Sequence, residues 1–344
     1  MATKNPLKVA VVGLGRAGWD IHIRRMRDDE RFRITAVADW LPDRLKEAAE
    51  AFGCATFSDH KAMLKGADAD LVVVASFSDT HPSITRDALK AGYHTVCDKP
   101  IANSVAEAKS MIAAAEKSGK TLLIHHNYRF FPEVRYLLEL VNSKRLGEVF
   151  EIRMRALHFG RRWDWQTMRQ HYGGVLNNTC PHFMDIGLQL LGSPVRDLFC
   201  DLKQVISPGD VEDHVKVILR GENGRVYDME VSSVCKVEEP KWTVLGSLGT
   251  MVSDGRTSKL QWINPKASSR IKQTDGAAPG RDYCQDTGLE WHEAEEPTVG
   301  PSIGDFYDNV WAVLREKKKP VVTLEQALEV VRVTQACKKV SGYY

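Results

Sequence analysis

The sequence predicts an α/β protein: a doubly wound parallel sheet followed by a second domain built on a sheet of its own. Three observations predict it. Lys8–Gly18, KVAVVGLGRAG, passes from an apolar strand through a glycine turn into a helix pattern. Up to residue 125, short apolar runs alternate with amphipathic stretches, the pattern of right-handed βαβ units. After Phe130 the runs alternate polar and apolar residues instead, as a sheet covered on one face does. The expected division is therefore 1–125 and 126–344.

Lys8–Val12 reads as a buried strand, and Gly13, Gly15 and Gly18 open a helix running from Arg16 to Met26. In such a G-x-G-x-x-G turn the first glycine permits the tight turn. The second lets the backbone approach a pyrophosphate, and the third lets the helix pack close on the strand. The free N–H groups at Arg16 and Ala17 then face the phosphates. Ile34–Ala38 is the second strand. It ends on Asp39, at the spacing for a ribose diol, with Trp40 and Arg44 beside it. These features predict a dinucleotide site. The plainer alternative is a nucleotide-free domain with a glycine turn.

Pro42–Phe52 is a helix started by proline and closed by Gly53. Ala55–Phe57 is a short strand and Asp59–Leu64 a short helix. Leu71–Phe77 is a continuous apolar run, hence a buried parallel strand. Pro82–Ala91 is a helix stopped by Gly92, Tyr93–Cys97 a strand, Val105–Ser118 a helix stopped by Gly119, and Thr121–His125 a strand. Ligands of such sheets bind at the carboxyl ends of the strands. That rule selects Asp39, the segment Ser76–His81 with Ser78 inside it, and Asp98-Lys99-Pro100, with Asn127 just past the last strand. Pro100 restricts Lys99 to extended backbone and permits a cis bond. Position alone leaves Lys99 either a site cation or a solvated surface lysine.

In the second half, Pro132–Ser143 is an amphipathic helix closed by Leu146-Gly147. Strands are expected at Val149–Leu157, Val195–Val205, Val211–Leu219, Arg225–Val234 and Trp242–Leu245, interrupted by one helix, Gly174–Leu191. Ser268–Gly288 is polar and glycine-containing, a long loop. Ile303–Glu316 and Leu324–Val340 are closing helices, the second with a capping box from Thr323 and Gln326. Asn178 and His182 are four residues apart and share a helix face. Asp185, three beyond, is placed to orient the other ring nitrogen of His182. A satisfied core histidine is the competing reading. Arg161-Arg162-Trp163-Asp164-Trp165 has the chemistry of a sugar pocket: indole faces for C–H surface, Arg and Asp for hydroxyls. It reads equally as a polar loop with aromatic staples. His125, His126, His158, His171 and His214 carry no spacing that sets them apart, and no metal is expected.

The 344 residues are 43% hydrophobic and 27% charged, with net charge +2 and no long basic run, so no nucleic-acid partner is expected. No apolar run approaches membrane-spanning length, and the N-terminal MATKNPLK lacks a signal-peptide core. Seven scattered cysteines without C-x-x-C fit reduced cytoplasmic thiols.

Taken together, GLGRAG, Asp39, DTHP (Asp79–Pro82), DKP (Asp98–Pro100), NYRFFP (Asn127–Pro132) and GGVLNNTCPHFMD (Gly173–Asp185) resemble the glucose–fructose oxidoreductase/inositol dehydrogenase/MocA family over nearly the whole chain. The resemblance implies a Rossmann domain followed by an α/β domain with an open, mostly antiparallel sheet, whose exposed face makes homodimers or homotetramers. It implies NAD(P)-dependent oxidation or reduction of a sugar or cyclitol hydroxyl. Lys99 matches the family's lysine in E-K-P, and His182 the histidine that exchanges the substrate proton. Tyr128, Arg162, Trp163 and Asn178 are the expected substrate contacts; Asp98, Ser76, Ser78, His81 and Asn127 join the glycine turn, Trp40 and Arg44 as cofactor contacts. Asp98 replaces the usual glutamate, and Asn178 stands where aspartate is common. An asparagine does not titrate, so it can only orient.

The chemistry fits these positions. Removing a hydride and a proton from a secondary alcohol needs a base of near-neutral pKa, which His182 supplies, and a fixed cation for the alkoxide, which Lys99 supplies. Asp39 favours NAD over NADP, because its charge repels a 2′-phosphate. Two other readings remain: a glycoside hydrolase of the same fold that recycles NAD, and a non-catalytic cofactor-sensing binding protein. Retention of both Lys99 and His182 weighs against the sensor.

Overall fold

Six parallel strands make the first sheet: β1 (Leu7–Val12), β2 (Phe32–Ala38), β3 (Ala55–Phe57), β4 (Leu71–Val74), β5 (His94–Cys97) and β6 (Leu122–Ile124), in the order 3-2-1-4-5-6. The computed structural model describes residues 5–264, 266, 275–277 and 289–344; the expected loop Ser268–Gly288 lies almost wholly outside them. The strands are apolar on both sides because both faces are covered. Val9, Val11, Ile34, Leu71 and Val73 enter one core, and Ala10, Val12, Ala36, Val72 and Val74 the other.

The first helix is wound in π form over Ala17–Ile23 and continues as α1 (Arg24–Met26). The other crossovers are α2 (Pro42–Phe52), α3 (His60–Gly66), α4 (His81–Lys90) and α5 (Val105–Ser118). Ser104 caps α5 through the Glu107 N–H, and Gly53 and Gly119 end their helices in the left-handed conformation. The strand expected to reach Phe77 stops at Val74. Ser76 Oγ bonds Thr80 Oγ1 at 2.7 Å and Thr80 Oγ1 donates to the Phe77 carbonyl, which winds the chain into a 3₁₀ turn, Ser78–Thr80.

After α6 (Pro132–Asn142) the chain builds an eight-stranded sheet from β7 (Val149–Leu157), β8 (Val195–Lys203), β9 (His214–Gly221), β10 (Val226–Ser232), β11 (Trp242–Gly246), β12 (Gly249–Ser253), β13 (Thr257–Ile263) and β14 (Trp291–Pro297). The order is 14-13-12-11-7-10-9-8, antiparallel except for the β7–β10 pair. Strands β12 to β14 were not expected from sequence; β14, WHEAEEP, is too polar to read as one. The strand expected to run to Val205 ends at Lys203, because the Asp213 carboxylate accepts the N–H groups of Val205, Ile206 and Ser207 and bends the chain away.

The helix expected over Gly174–Leu191 is two helices, α7 (Val175–Asn178) and α8 (Cys180–Leu191), separated at Thr179. Pro181 is the cause. It has no N–H to give the Asn177 carbonyl, and its ring pushes the preceding turn open. The His182 N–H accordingly bonds the Thr179 carbonyl at 3.3 Å rather than that of Asn178.

Two helices close the chain, α9 (Phe306–Glu316) and α10 (Leu324–Ser341), each starting in a capping box: Asp305 with Asp308, and Thr323 with Gln326. Phe306, Tyr307 and Val310 lie in the core of the first sheet. Ala327 and Val331 of α10 pack on that half, while Val330, Val333 and Cys337 enter the core of the second. Among the described residues no helix is long and apolar enough to cross a membrane.

Candidate active site

The glycine turn has the geometry its spacing predicts. Gly13 sits at φ +90°, and a Cβ there would lie 2.6 Å from the Ala75 carbonyl oxygen. A Cβ on Gly18 would lie 1.9 Å from the Gly13 carbonyl oxygen, so the helix packs on the turn at glycine distance. Gly15 differs. Its nearest neighbour would be Arg44 Nη1 at 3.8 Å, so the protein leaves its backbone open to a ligand. Asp39 is buried at the end of β2. Its carboxylate accepts the Leu14 N–H at 2.7 Å and the Leu41 N–H at 2.9 Å, and Arg44 approaches it at 3.4 Å. A carboxylate accepts more than three bonds, so capacity remains for hydroxyls. Trp40 beside it is 67% exposed.

At the end of β5, Lys99 is joined to Pro100 by a cis peptide bond. Its ammonium crosses between the two halves of the protein and donates to the Asn178 carbonyl at 2.9 Å and to Asn178 Oδ1 at 3.4 Å. The break at Pro181 makes this possible: the carbonyl that His182 would occupy in a continuous helix is left for Lys99. Asn178 is oriented from its other end, where Nδ2 donates to Gln166 Oε1 at 2.8 Å. Burial lowers the lysine pKa below its ordinary value; Asp98 opposes this, while Arg162 and Arg16 add to it.

Beneath Lys99 is a cluster the histidine spacing did not reveal. Asp98 accepts the Lys99 N–H at 2.9 Å and His125 Nδ1–H at 3.0 Å, and His22 Nε2 lies 3.9 Å from its second oxygen. His22 Nδ1 in turn pairs with the Tyr307 hydroxyl at 2.7 Å. His22, Asp98 and His125 lie close enough to hold a metal ion; His125 Nδ1 is engaged with Asp98 and His22 Nδ1 with Tyr307, while His22 Nε2 has no hydrogen-bond partner. Burial alone would raise the Asp98 carboxyl; the hydrogen bond from His125, the nearby His22 and the positive charge of Lys99 overcome it and hold the group well below the carboxylate range. Burial and His22 press His125 down to about 4, so it is a neutral donor. Asp98 is thus committed to the protein itself. His81 is also turned inward, with Nδ1 2.8 Å from the Pro100 carbonyl and Nε2 3.1 Å from that of Ser76.

His182 stands at the start of α8, stacked on Tyr128 at 4.0 Å and 11°, and Tyr128 stacks on Phe131 at 4.5 Å. Burial drives its pKa well below the ordinary histidine value, and the charges of Lys99 and His126 add to this. The base of near-neutral pKa expected from sequence is therefore corrected to a neutral imidazole of much weaker basicity. Asp185 does not orient it. Its carboxylate makes a buried bidentate pair with Arg129, both bonds 2.7 Å, a contact that sequence reading missed. His182 Nδ1 and Asn127 Oδ1 are buried without protein partners, a state that native sites relieve with a ligand or water.

The cluster Arg161–Trp165 divides. Trp165 packs on Phe77 of the first domain at 4.9 Å, and its neighbour Gln166 holds Asn178. Arg162 pairs with Asp164 at 2.8 Å while its charge is felt at Lys99. Trp163 is 81% exposed. The two glycines before α7 serve the same region: a Cβ at Gly173 would meet the Gln166 carbonyl oxygen at 2.4 Å.

Residues 7–126 match the oxidoreductase family with an NAD-binding Rossmann fold, and residues 134–252 match the GFO/IDH/MocA C-terminal domain. Among similar proteins, the uncharacterized oxidoreductase YdgJ of Escherichia coli is 25% identical over 96% of this chain and 94% of its own. The D-glucoside 3-dehydrogenase of Escherichia coli is 32% identical over 56% of each chain. A solved NAD-binding protein from Listeria innocua superimposes with a TM-score of 0.85 at 23% identity, covering 98% of this chain and 95% of that one.

Proposed function

The chain belongs to the Gfo/Idh/MocA oxidoreductase family, and on that premise we propose that it transfers a hydride between NAD and a secondary hydroxyl or ketone of a sugar or cyclitol. The observation that carries this reading is the bond from Lys99 Nζ to Asn178. It brings a cation from the first domain to the break in the second, at the carboxyl end of the parallel sheet.

The residues present fit the cofactor. Gly15 leaves its backbone open, and Asp39 has acceptor capacity at the end of β2. When bound, the nicotinamide accepts or donates the hydride; the rest belongs to the protein. Lys99 donates to the oxygen that bears developing negative charge, a task suited to a fixed donor in a water-poor site. His182, neutral and held flat against Tyr128, accepts the hydroxyl proton in oxidation and returns it in reduction. Asn178 keeps Lys99 in place and, being an amide, does not exchange a proton. Arg162, Tyr128 and Trp163 are the proposed contacts for a polyol; the Trp163 ring is largely exposed and so free to make one.

The open face of the second sheet is the proposed surface for homodimers or homotetramers. Arg153, Asp228, Ile218 and Phe199 align across it in one register row. Turnover of a sugar and cyclitol panel with NAD tests the function. Net NADH formation supports a dehydrogenase. Glycoside cleavage without NADH would replace it with the redox-recycling hydrolase, and cofactor binding without turnover would leave a sensor.

A further inference from the structure

Glu212 is a buried carboxylate that the proposed chemistry does not use. It lies between β8 and β9, 1% exposed, and reaches the start of α7. Its Oε1 accepts the Leu176 N–H at 2.7 Å, and its main-chain carbonyl accepts the Val175 N–H at 3.1 Å. These are amides that a helix start otherwise leaves without partners. Gly174 admits the side chain: it sits at φ +94°, and a Cβ there would lie 2.3 Å from Oε1. The other oxygen accepts the Tyr344 hydroxyl. The Tyr344 ring is held in turn by the Arg169 guanidinium, 4.7 Å from its centre, and by Lys338 Nζ at 5.1 Å. Arg169 is anchored on Asp210 through its N–H at 2.7 Å. Three residues beyond Val175, α7 ends on Asn178, which receives Lys99.

We propose that Glu212 is a positioning residue for the cleft: secured by Tyr344, its carboxylate fixes the start of α7 and thereby the Asn178 carbonyl that holds Lys99. This rests on the reading of Lys99 as a site cation. Protonation of Glu212, or loss of its tyrosine, loosens the helix start. The groups that face Glu212 are Tyr344 and Tyr343 beyond α10, Lys338 on α10, Cys180 on α8 and Leu176 on α7, with Arg169 behind the tyrosine. Burial raises the Glu212 pKa above the ordinary value, and the bonds from Tyr344 and Leu176 restrain it. Removing the tyrosine hydroxyl therefore moves the titration to higher pH.

Amide hydrogen exchange of peptides spanning residues 174–180, read by mass spectrometry on the full chain together with acetic anhydride labelling of Lys99, tests this. The pH is stepped from about 8 to about 5, with intrinsic exchange corrected. In the wild type exchange of 174–180 rises with falling pH around one midpoint, and Lys99 labelling, taken relative to exposed lysines because only the unprotonated amine reacts, rises with it. Tyr344→Phe moves that midpoint upward and speeds exchange of 174–180 by about tenfold at neutral pH, the effect of losing one hydrogen bond to a buried charge. Glu212→Gln flattens the profile. NAD affinity stays unchanged in both variants. Unaltered exchange and labelling in both variants overturn the proposal, as does acceleration spread evenly over the chain. If these signals behave as expected while no sugar or cyclitol is turned over, the positioning role stands and the sugar reading falls.

Discussion

The proposed function gives a single lysine most of the chemistry, and its surroundings set how its loss should read out. Lys99 is half-buried against Asn178, and its main-chain N–H is fixed by Asp98. Lys99→Met keeps the length and removes the charge, so kcat should fall on the order of a hundredfold or more with little change in NAD affinity. Wild-type kcat in that variant would leave Lys99 a structural cation. His182 makes a second, separable prediction. Because burial holds its pKa well below the ordinary value, the ring stays neutral and able to accept a proton at pH values where an exposed histidine is protonated. The acid limb attributable to His182 should therefore lie below about pH 6.5. His182→Ala should remove that limb and lower kcat by ~10²–10⁴. Asn178→Ala should lower the rate while leaving the limb in place. A His182→Ala enzyme with unchanged rate and pH profile would make the histidine a packing residue.

At the scale of the element, the decisive feature is the interruption between α7 and α8. Pro181→Ala restores an N–H to the Asn177 carbonyl and lets the His182 N–H compete with Lys99 for the Asn178 carbonyl. That variant should retain or gain thermal stability while kcat falls about tenfold, since one charge-assisted hydrogen bond is diverted. Unchanged kcat would detach the break from the site. The expectation of one helix through Gly174–Leu191 missed the break, although a proline inside a helical pattern is the signal that marks one. What it delivers to Lys99 was not visible, since the partners are 79 residues apart. The glycine turn, Asp39 and the βαβ order were legible because each rests on local spacing. The Arg129–Asp185 pair and the His22–Asp98–His125 cluster were not, because their members come from separate elements and share no period. Asp185 three residues beyond His182 looked like its orienting group, yet a bidentate guanidinium is the stronger partner for a buried carboxylate.

For the whole molecule, α10 is the joint. One of its faces packs with the first domain and another with the second. Its Gln326 also reaches Gln189 and the Arg129–Asp185 pair. Assembly through the open sheet face is checked by light scattering at micromolar concentration, where a monomer would contradict it. Proton linkage makes the last prediction. His81, His125, His126 and His182 all have folded-state pKa values below the ordinary histidine value, each chiefly through burial. Above about pH 6.5 both folded and unfolded chains hold these rings neutral, and the four make no pH-dependent contribution. As pH falls below that, the unfolded chain takes up protons that the folded one refuses, so stability drops. Each ring still neutral at about pH 5 costs about 2 kcal/mol relative to neutral pH. The melting temperature should therefore begin to fall near pH 6.5, well above the range where carboxylates titrate. His125→Asn, which keeps a side-chain donor beside Asp98, should flatten part of that slope. A melting temperature that stays level down to about pH 5 would mean that water reaches these rings and that they titrate alike in both states.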